Sequence, residues 1–192
     1  MEAVLSIAGS DSSGGAGIQA DIKTIAAHRL FAETAITALT AQNTLGVTGV
    51  LDVDPAFVAK QIDAVFEDIR PAAVKVGMVS SAAIIEAVAD ALERHAAANI
   101  VVDPVMVATS GARLIGDDAI EALKARLLPL ADVVTPNMPE AEVLCGFPVN
   151  DDASMERAAN ELSERVQGAV LGKGGHSAAR ADDVLVARAG AP

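Results

Sequence analysis

Polar residues recur directly after short apolar runs of this chain, and their types suit the binding of a small charged or polar ligand. Asp21 lies on the helical pattern after the first run, and Gln42 follows the second. A carboxylate only accepts hydrogen bonds whereas an amide also donates, so together they could hold a flat polar heterocycle. Asp103 follows the fourth run, where a carboxylate suits a divalent cation beside substrate phosphates. The structural alternatives are a solvated helix acid, a satisfied loop amide, and a cap or turn aspartate.

A second polar group follows the fifth and sixth apolar runs. Asn137 and Glu140 are three residues apart at the start of a helical pattern, the spacing of a capping box, and the same pair could also contact a metal. Lys173 precedes two glycines, and a lysine at a buried strand end indicates an anionic partner. His176 is interpreted as a solvated loop residue, and Cys145 as a packed thiol without nucleophilic chemistry.

The glycine-rich segment 9–17 fits two nucleotide motifs incompletely. Gly9 and Gly14 have the spacing of a P-loop, but Gly15 and Ala16 stand where the motif needs Lys and Ser or Thr. The segment 15–20 also fits a dinucleotide-binding turn, which would indicate an oxidoreductase. That turn needs an acid at the end of the second strand, and Glu33 is predicted to precede that strand. The remaining interpretations are a plain tight turn, or backbone N–H groups that approach an anion or a ring.

The elements that must position these residues alternate along the chain. Apolar runs predict strands at Val4–Ala8, Ala35–Leu39, Ala73–Val76, Ile100–Val102, Val133–Thr135, Ala169–Leu171 and Val184–Ala187. Helical patterns lie at Ala16–His28, Pro55–Asp68, Ala82–Ala97, Asp117–Leu127, Pro139–Leu144 and Ser154–Val166. Continuously apolar strands alternating with helices predict an α/β fold whose mostly parallel sheet is covered on both faces. Ligands of such sheets bind beyond the carboxyl ends of the strands, where the polar residues cluster.

Composition narrows the classes of function. The 192 residues include 14 Lys or Arg and 26 Asp or Glu, a net charge of −12, and four Phe are the only aromatic residues. This argues against nucleic-acid binding, which needs basic stripes and stacking platforms. No apolar run approaches the roughly 18 residues of a membrane span, and no basic segment precedes the first run. One cysteine excludes an internal disulfide. A single cytoplasmic domain over 1–192 is expected.

Six blocks of the sequence closely resemble hydroxymethylpyrimidine/phosphomethylpyrimidine kinases, which belong to the ribokinase-like superfamily and act in thiamine biosynthesis. The blocks are IAGSDSSGGAGIQADIK at 7–23, TALTAQN at 37–43, KVGM at 75–78, DPVM at 103–106, TPNMPEA at 135–141 and KGGH at 173–176. They occur in the family's order over nearly the whole chain. The resemblance implies a three-layer αβα sandwich and phosphorylation of 4-amino-5-hydroxymethyl-2-methylpyrimidine, then of its monophosphate, by ATP with Mg²⁺.

The resemblance also assigns roles to residues. It implies that Asp21 and Gln42 hold the pyrimidine ring and its amino group. The pocket would be lined by Gly9, Met78 and Val105. The nucleotide phosphates would lie near Asp103 and Lys173, while Asn137 and Glu140 match the superfamily's Asn-x-x-Glu element, which organises Mg²⁺ and phosphates.

Two departures from the family pattern leave alternatives open. The family carries a further C-terminal segment with a Gly-Thr-Gly-Cys motif, which these 192 residues lack, so the domain is expected to be incomplete and no catalytic residue is assigned. A pyrimidine-binding domain without phosphoryl transfer and a pyridoxine-type vitamin kinase are the alternatives. An uncovered sheet edge or a missing helix layer would favour a homo-oligomer. Ser12 replaces a proline that is frequent in relatives, which predicts a looser loop.

Overall fold

The computed structural model describes residues 1–106, 115–174 and 182–188, and within them the strands form one eight-stranded sheet. The order is β3-β2-β1-β4-β5-β6-β7-β8, with antiparallel pairing at β2–β3 and β7–β8 and parallel pairing elsewhere. The strands are β1 (Ala3–Asp11), β2 (Phe31–Asn43), β3 (Gly46–Asp52), β4 (Ala73–Val76), β5 (Ile100–Val102), β6 (Val133–Val134), β7 (Ala169–Gly172) and β8 (Val184–Ala187). The predicted mostly parallel sheet is confirmed. The loop residue His176 lies outside the described residues.

In the described ranges, six α-helices lie between the strands. They are α1 (Gly17–Ala27), α2 (Pro55–Asp68), α3 (Ala82–Arg94), α4 (Asp117–Ala122), α5 (Met138–Cys145) and α6 (Asp152–Ser163). The prediction of a regular helix over Asp117–Leu127 is wrong beyond Ala122, because the chain continues as a π-helical turn, Leu123–Leu127, and a 3₁₀ turn, Leu128–Leu130. Pro129 in the second turn has no N–H to donate to an α-helix. No helix in the described ranges is both long and apolar enough to cross a bilayer.

Helices cover both faces of the sheet, as β1 shows. Leu5 and Ile7 are fully buried in the main core with side chains of α2, α3 and α6. Ser6 lies between them and points to the other face, because successive side chains of a strand alternate. Its hydroxyl donates a hydrogen bond to Asp21 on α1. Helix α1 therefore lies opposite the α2–α3 layer, which confirms the three-layer αβα arrangement.

The β2–β3 hairpin is where the prediction of strands fails most. Strand β2 runs to Asn43, well beyond the predicted Leu39, and β3 was not predicted. Most residues of β3 are exposed, and two of its seven are glycines, so neither apolar content nor alternation indicates a strand. Glu33 lies inside β2 rather than before it. The hairpin extends the sheet beside the carboxyl end of β1, where the candidate site lies.

Candidate active site

One cavity of about 270 Å³ opens at the carboxyl ends of β1, β2, β4 and β5. It is lined by all five residues predicted to bind substrate and by one predicted to lie near phosphates: Gly9, Asp21, Gln42, Met78, Val105 and Asp103. Those residues span 97 positions of sequence, from 9 to 105. The structure therefore brings together side chains that the sequence places on separate elements.

The carboxylate of Asp11 binds several backbone amides of the glycine-rich loop after β1. Asp11 accepts hydrogen bonds from the backbone N–H groups of Ser13, Gly15 and Ala16, at 2.8 to 2.9 Å. Burial raises the pKa of Asp11, but these hydrogen bonds outweigh it and hold the pKa below its ordinary value. The amides of Gly15 and Ala16, with which the dinucleotide-binding turn over 15–20 would begin, are thus already occupied, which argues against the oxidoreductase alternative.

Gly17 lets the loop turn into α1 directly against β1. Its φ is +54°, and a Cβ added there would lie 2.3 Å from the backbone oxygen of Gly9. This distance is far below van der Waals contact, so the close approach of the loop to the strand requires a glycine. The turn places the first residues of α1, including Asp21, over the cavity.

Two donors hold one oxygen of Asp21. Ser6 Oγ donates to Oδ2 at 2.6 Å and Lys75 Nζ donates to the same oxygen at 2.9 Å. The ion-paired side chains are 28% and 20% exposed for Lys75 and Asp21, so water screens the pair only partly. Oδ1 has no hydrogen-bond partner among the described residues. Asp21 consequently presents one fixed, open acceptor at the cavity.

The backbone of Gln42 is tied to the glycine-rich loop. The hydroxyl of Ser12 donates to the carbonyl oxygen of Gln42 at 2.6 Å and accepts from its N–H at 2.9 Å. The serine thereby joins the loop to β2, and a looser loop than proline would give stays a prediction. Thr40 Oγ1 lies 3.2 Å from Oε1 of the Gln42 amide. The amide NH₂ has no partner in the described part of the chain and remains available as a donor.

Asp103 connects the cavity to a second polar cluster at the ends of β5, β6 and β7. One oxygen, Oδ1, accepts hydrogen bonds from Lys173 Nζ at 2.8 Å and from Thr135 Oγ1 at 3.1 Å. The backbone of Lys173 pairs with Asn137 in an isolated parallel bridge. The three residues that the resemblance puts near phosphates therefore lie together: Asp103, Lys173 and Asn137. Of these, Asn137 and Lys173 do not line the cavity itself.

Asn137 and Glu140 form the capping box that begins α5. Asn137 Oδ1 accepts from the N–H of Glu140 at 2.9 Å, and a Glu140 carboxylate oxygen accepts from the N–H of Asn137 at 2.8 Å. Glu140 is only 5% exposed. Burial raises the pKa of its carboxyl, while the Asn137 hydrogen bond and the positive charge of Lys173 oppose that rise. The capping box predicted as the structural alternative is therefore present. The Glu140 carboxylate also lies beside the Asp103–Lys173 ion pair.

Two residues close to the site were not among those predicted. Lys75 lines the cavity and pairs with Asp21, and Asp11 organises the loop. Lys75 could have been found from the sequence, because it is a lysine inside an otherwise apolar strand. Cys145 packs against both core clusters, as predicted for a packed thiol, and burial raises its pKa to about 11.

The mostly parallel three-layer fold, with a polar cavity at the carboxyl ends of its strands, is that of the ribokinase-like kinases. The family model described as phosphomethylpyrimidine kinase matches residues 11–191, and the chain belongs to that family. A hydroxymethylpyrimidine/phosphomethylpyrimidine kinase of Haemophilus influenzae is 49% identical over 177 residues, which cover 92% of this chain. The predicted family is confirmed.

Solved structures agree with this assignment. The crystal structure of phosphomethylpyrimidine kinase from Clostridium difficile superposes with a TM-score of 0.91 at 47% identity, covering 98% of this chain and 81% of that one. Pyridoxal kinase from Staphylococcus aureus in complex with pyridoxal gives 0.87 at 33% identity, covering 97% of this chain and 68% of that one. The chain spans 66% of the Haemophilus influenzae relative, about two thirds of its length.

Proposed function

We propose that this protein transfers a phosphoryl group from ATP to 4-amino-5-hydroxymethyl-2-methylpyrimidine and to its monophosphate, as part of thiamine biosynthesis. The observation that carries the proposal is the cavity in which Asp21 and Gln42 present complementary hydrogen-bonding groups beside the Asp103–Lys173 pair. Membership of the phosphomethylpyrimidine kinase family supports the same reaction.

The ring end of the cavity fits an aminopyrimidine by its hydrogen-bonding pattern. Asp21 Oδ1 is an acceptor, and the exocyclic amino group of the substrate is a donor. The Gln42 amide NH₂ is a donor, and an unprotonated ring nitrogen is an acceptor. Gly9, Met78 and Val105 supply apolar surface and a closely approaching backbone against which the ring and its methyl group can pack.

The phosphate end is formed by the cluster around Asp103. Lys173 offers a positive charge to a nucleotide phosphate, and Asn137 together with Glu140 holds the start of α5 in place. Positioning and charge neutralisation supply most of the catalysis in phosphoryl transfer, so a fixed cation and fixed carboxylates suit that reaction.

The carboxylate oxygens near Asp103 suit a Mg²⁺ ion that binds together with a nucleotide. Asp103 Oδ2 has no hydrogen-bond partner among the described residues, and Glu140 supplies a second carboxylate. Mg²⁺ commonly uses one or two carboxylates together with substrate phosphates and water. No group of three or more His, Cys, Asp or Glu residues in the described ranges could form a protein-only cage. Bound there with ATP, Mg²⁺ would neutralise phosphate charge.

We infer that the residues form part of a single ribokinase-like domain, because every strand in the described ranges joins one sheet and the main core extends across it. The cavity draws on β1, β2, β4 and β5 of that sheet, so the groups that would hold the ring share one sheet with Asp103, which would lie near phosphate.

Two alternatives keep the same cavity. A pyridoxine-type ring is favoured by the likeness to a pyridoxal kinase that binds pyridoxal, although the identity is only 33%. A domain that binds the pyrimidine without transferring phosphate would use the Asp21 and Gln42 groups alone. Both alternatives predict ring binding, and they differ from the proposal in ring preference and in product.

The test combines calorimetric ring binding with an assay of ADP release in the presence of Mg-ATP. The hydroxymethyl pyrimidine should bind more tightly than pyridoxal and should stimulate ADP release. Gln42→Ala should weaken pyrimidine binding about tenfold, the effect of losing one or two hydrogen bonds. Gln167→Ala is the matched control, because Gln167 donates to Pro129 near the amino ends of β6 and β7, away from the cavity. Pyrimidine binding without ADP release would establish the binding domain, and tighter binding of pyridoxal the vitamin-kinase alternative.

A further inference from the structure

The hydroxyl of Ser12 continues the pairing of β1 with β2 after β1 has ended. Strand β1 ends at Asp11, whose partner in β2 is Thr40. One residue further on, Ser12 Oγ bonds both the N–H and the C=O of Gln42. A hydroxyl can donate once and accept as well, so a single side chain satisfies both backbone groups of the residue.

Gln42 needs such a tie because its other connections are irregular. The register of β2 against β3 shifts between Ala41 and Gln42, where the pairing changes from Gly49 to Val47. The extra residue of this bulge is Thr48 of β3, so the regular pairing beside Gln42 is interrupted on the β3 side. On the β1 side, the backbone of Gln42 is bound by Ser12. Without that hydroxyl, the backbone at the bulge would bond to water, and the direction of the Gln42 side chain would be less restricted.

We propose that Ser12 is a positioning residue for pyrimidine binding, acting through the backbone of Gln42 rather than by contact with the ring. The inference rests on the proposed function, since it assumes that the Gln42 amide holds the ring. Gln42 lines the cavity whereas Ser12 does not, which is the arrangement expected of a residue that acts through a neighbour. Ser12 is exposed, so its removal leaves no cavity in the core.

A double-mutant cycle tests this dependence. The dissociation constant for 4-amino-5-hydroxymethyl-2-methylpyrimidine is measured calorimetrically for the unchanged protein, Ser12→Ala, Gln42→Ala and the double variant. Ser12→Ala should weaken binding about three- to tenfold, as expected when one or two hydrogen bonds are lost. In the Gln42→Ala background the same substitution should have no further effect, because the side chain that it positions is gone.

Two further variants separate positioning from general loosening of the hairpin. Ser12→Thr retains the hydroxyl and should restore affinity. Thr48→Ala removes a comparable hydrogen bond of the same hairpin, from Thr48 Oγ1 to the carbonyl of Ala41 at 3.0 Å, and should leave affinity unchanged. Thermal melts followed by circular dichroism should show similar small shifts for Ser12→Ala and Thr48→Ala.

The outcomes that overturn the inference are distinct from those that overturn the proposed function. Full affinity in Ser12→Ala, or equal weakening by Ser12→Ala in both backgrounds, would show that Ser12 does not act through Gln42. Loss of affinity in Thr48→Ala would assign the effect to the hairpin as a whole. An unchanged dissociation constant in Gln42→Ala, or no pyrimidine binding by the unchanged protein, would remove the ring site itself and this inference with it.

Discussion

Replacing Gly17 by alanine should be among the most damaging small substitutions at the surface of this protein. The residue has a left-handed φ of +54°, and its added Cβ would lie 2.3 Å from the backbone oxygen of Gly9. Backbone atoms of β1 cannot rotate aside as a flexible side chain could. The glycine-rich loop or the start of α1 would have to move to relieve the contact.

The expected size follows from two separable effects. A left-handed conformation costs a non-glycine residue about 1–2 kcal/mol. Overpacking against atoms that must shift adds about 1–3 kcal/mol. Gly146 isolates the first effect, since its φ is +76° but an added Cβ would meet nothing within 4 Å. Gly17→Ala should therefore lower the free energy of unfolding by about 2–5 kcal/mol, against about 1–2 kcal/mol for Gly146→Ala.

Urea unfolding followed by far-ultraviolet circular dichroism measures both values. The protein contains no Trp or Tyr, so intrinsic fluorescence offers no convenient signal. The two variants and the unchanged protein are compared at one pH and protein concentration. Equal losses of stability in Gly17→Ala and Gly146→Ala would refute the reasoning, because they would mean that the contact with Gly9 contributes nothing.

Three other perturbations have defined signs. Glu33 is buried with one carboxylate oxygen unpartnered, and burial together with the charge of Asp68 raises its pKa. The folded state therefore favours the protonated Glu33 carboxyl. The stability that this preference contributes is complete below the ordinary pKa and is lost as pH rises through the raised pKa of the folded state. The melting temperature of Glu33→Gln relative to the unchanged protein should rise from pH 4 to pH 8, and a constant difference would contradict this. Lys75→Met leaves the partly buried Asp21 without its ion-pair partner and should cost about 1–3 kcal/mol of unfolding free energy, between exposed and buried pairs; an unaltered urea midpoint would count against it. Glu140→Gln can retain the helix cap while removing the charge, so calorimetric binding of ATP should require more Mg²⁺ with little change in stability, whereas an identical Mg²⁺ requirement would leave the residue a cap alone.

Much of the fold could be predicted because the strands that cross the core are mainly apolar. The predicted bounds of β4 and β5 match the structure, since each is a short buried run between clear helical patterns. Strand β3 could not be predicted, because it lies at an exposed edge and is specified by its pairing with β2. Such pairing depends on residues distant in sequence and leaves no periodic pattern in the strand itself.

The candidate site was predictable to the extent that its residues lie at strand ends. Asp103 and Gln42 could be grouped before the structure was known, because the carboxyl ends of parallel strands meet at one edge. The hydrogen-bonding partners that fix the site side chains could not be predicted from the sequence. Lys75 reaches Asp21 across 54 residues, and Ser12 reaches Gln42 across 30, by contacts that depend on the exact path of the backbone.

The carboxylate of Asp11 has a consequence for the kinetics of ligand entry. Because it already fastens the amides of the glycine-rich loop, a ring that enters the cavity need not order this segment. Little conformational entropy is then lost on association, so the measured affinity should mainly reflect direct contacts. Binding of the ring should therefore need no slow conformational step, and stopped-flow traces should show one fast phase.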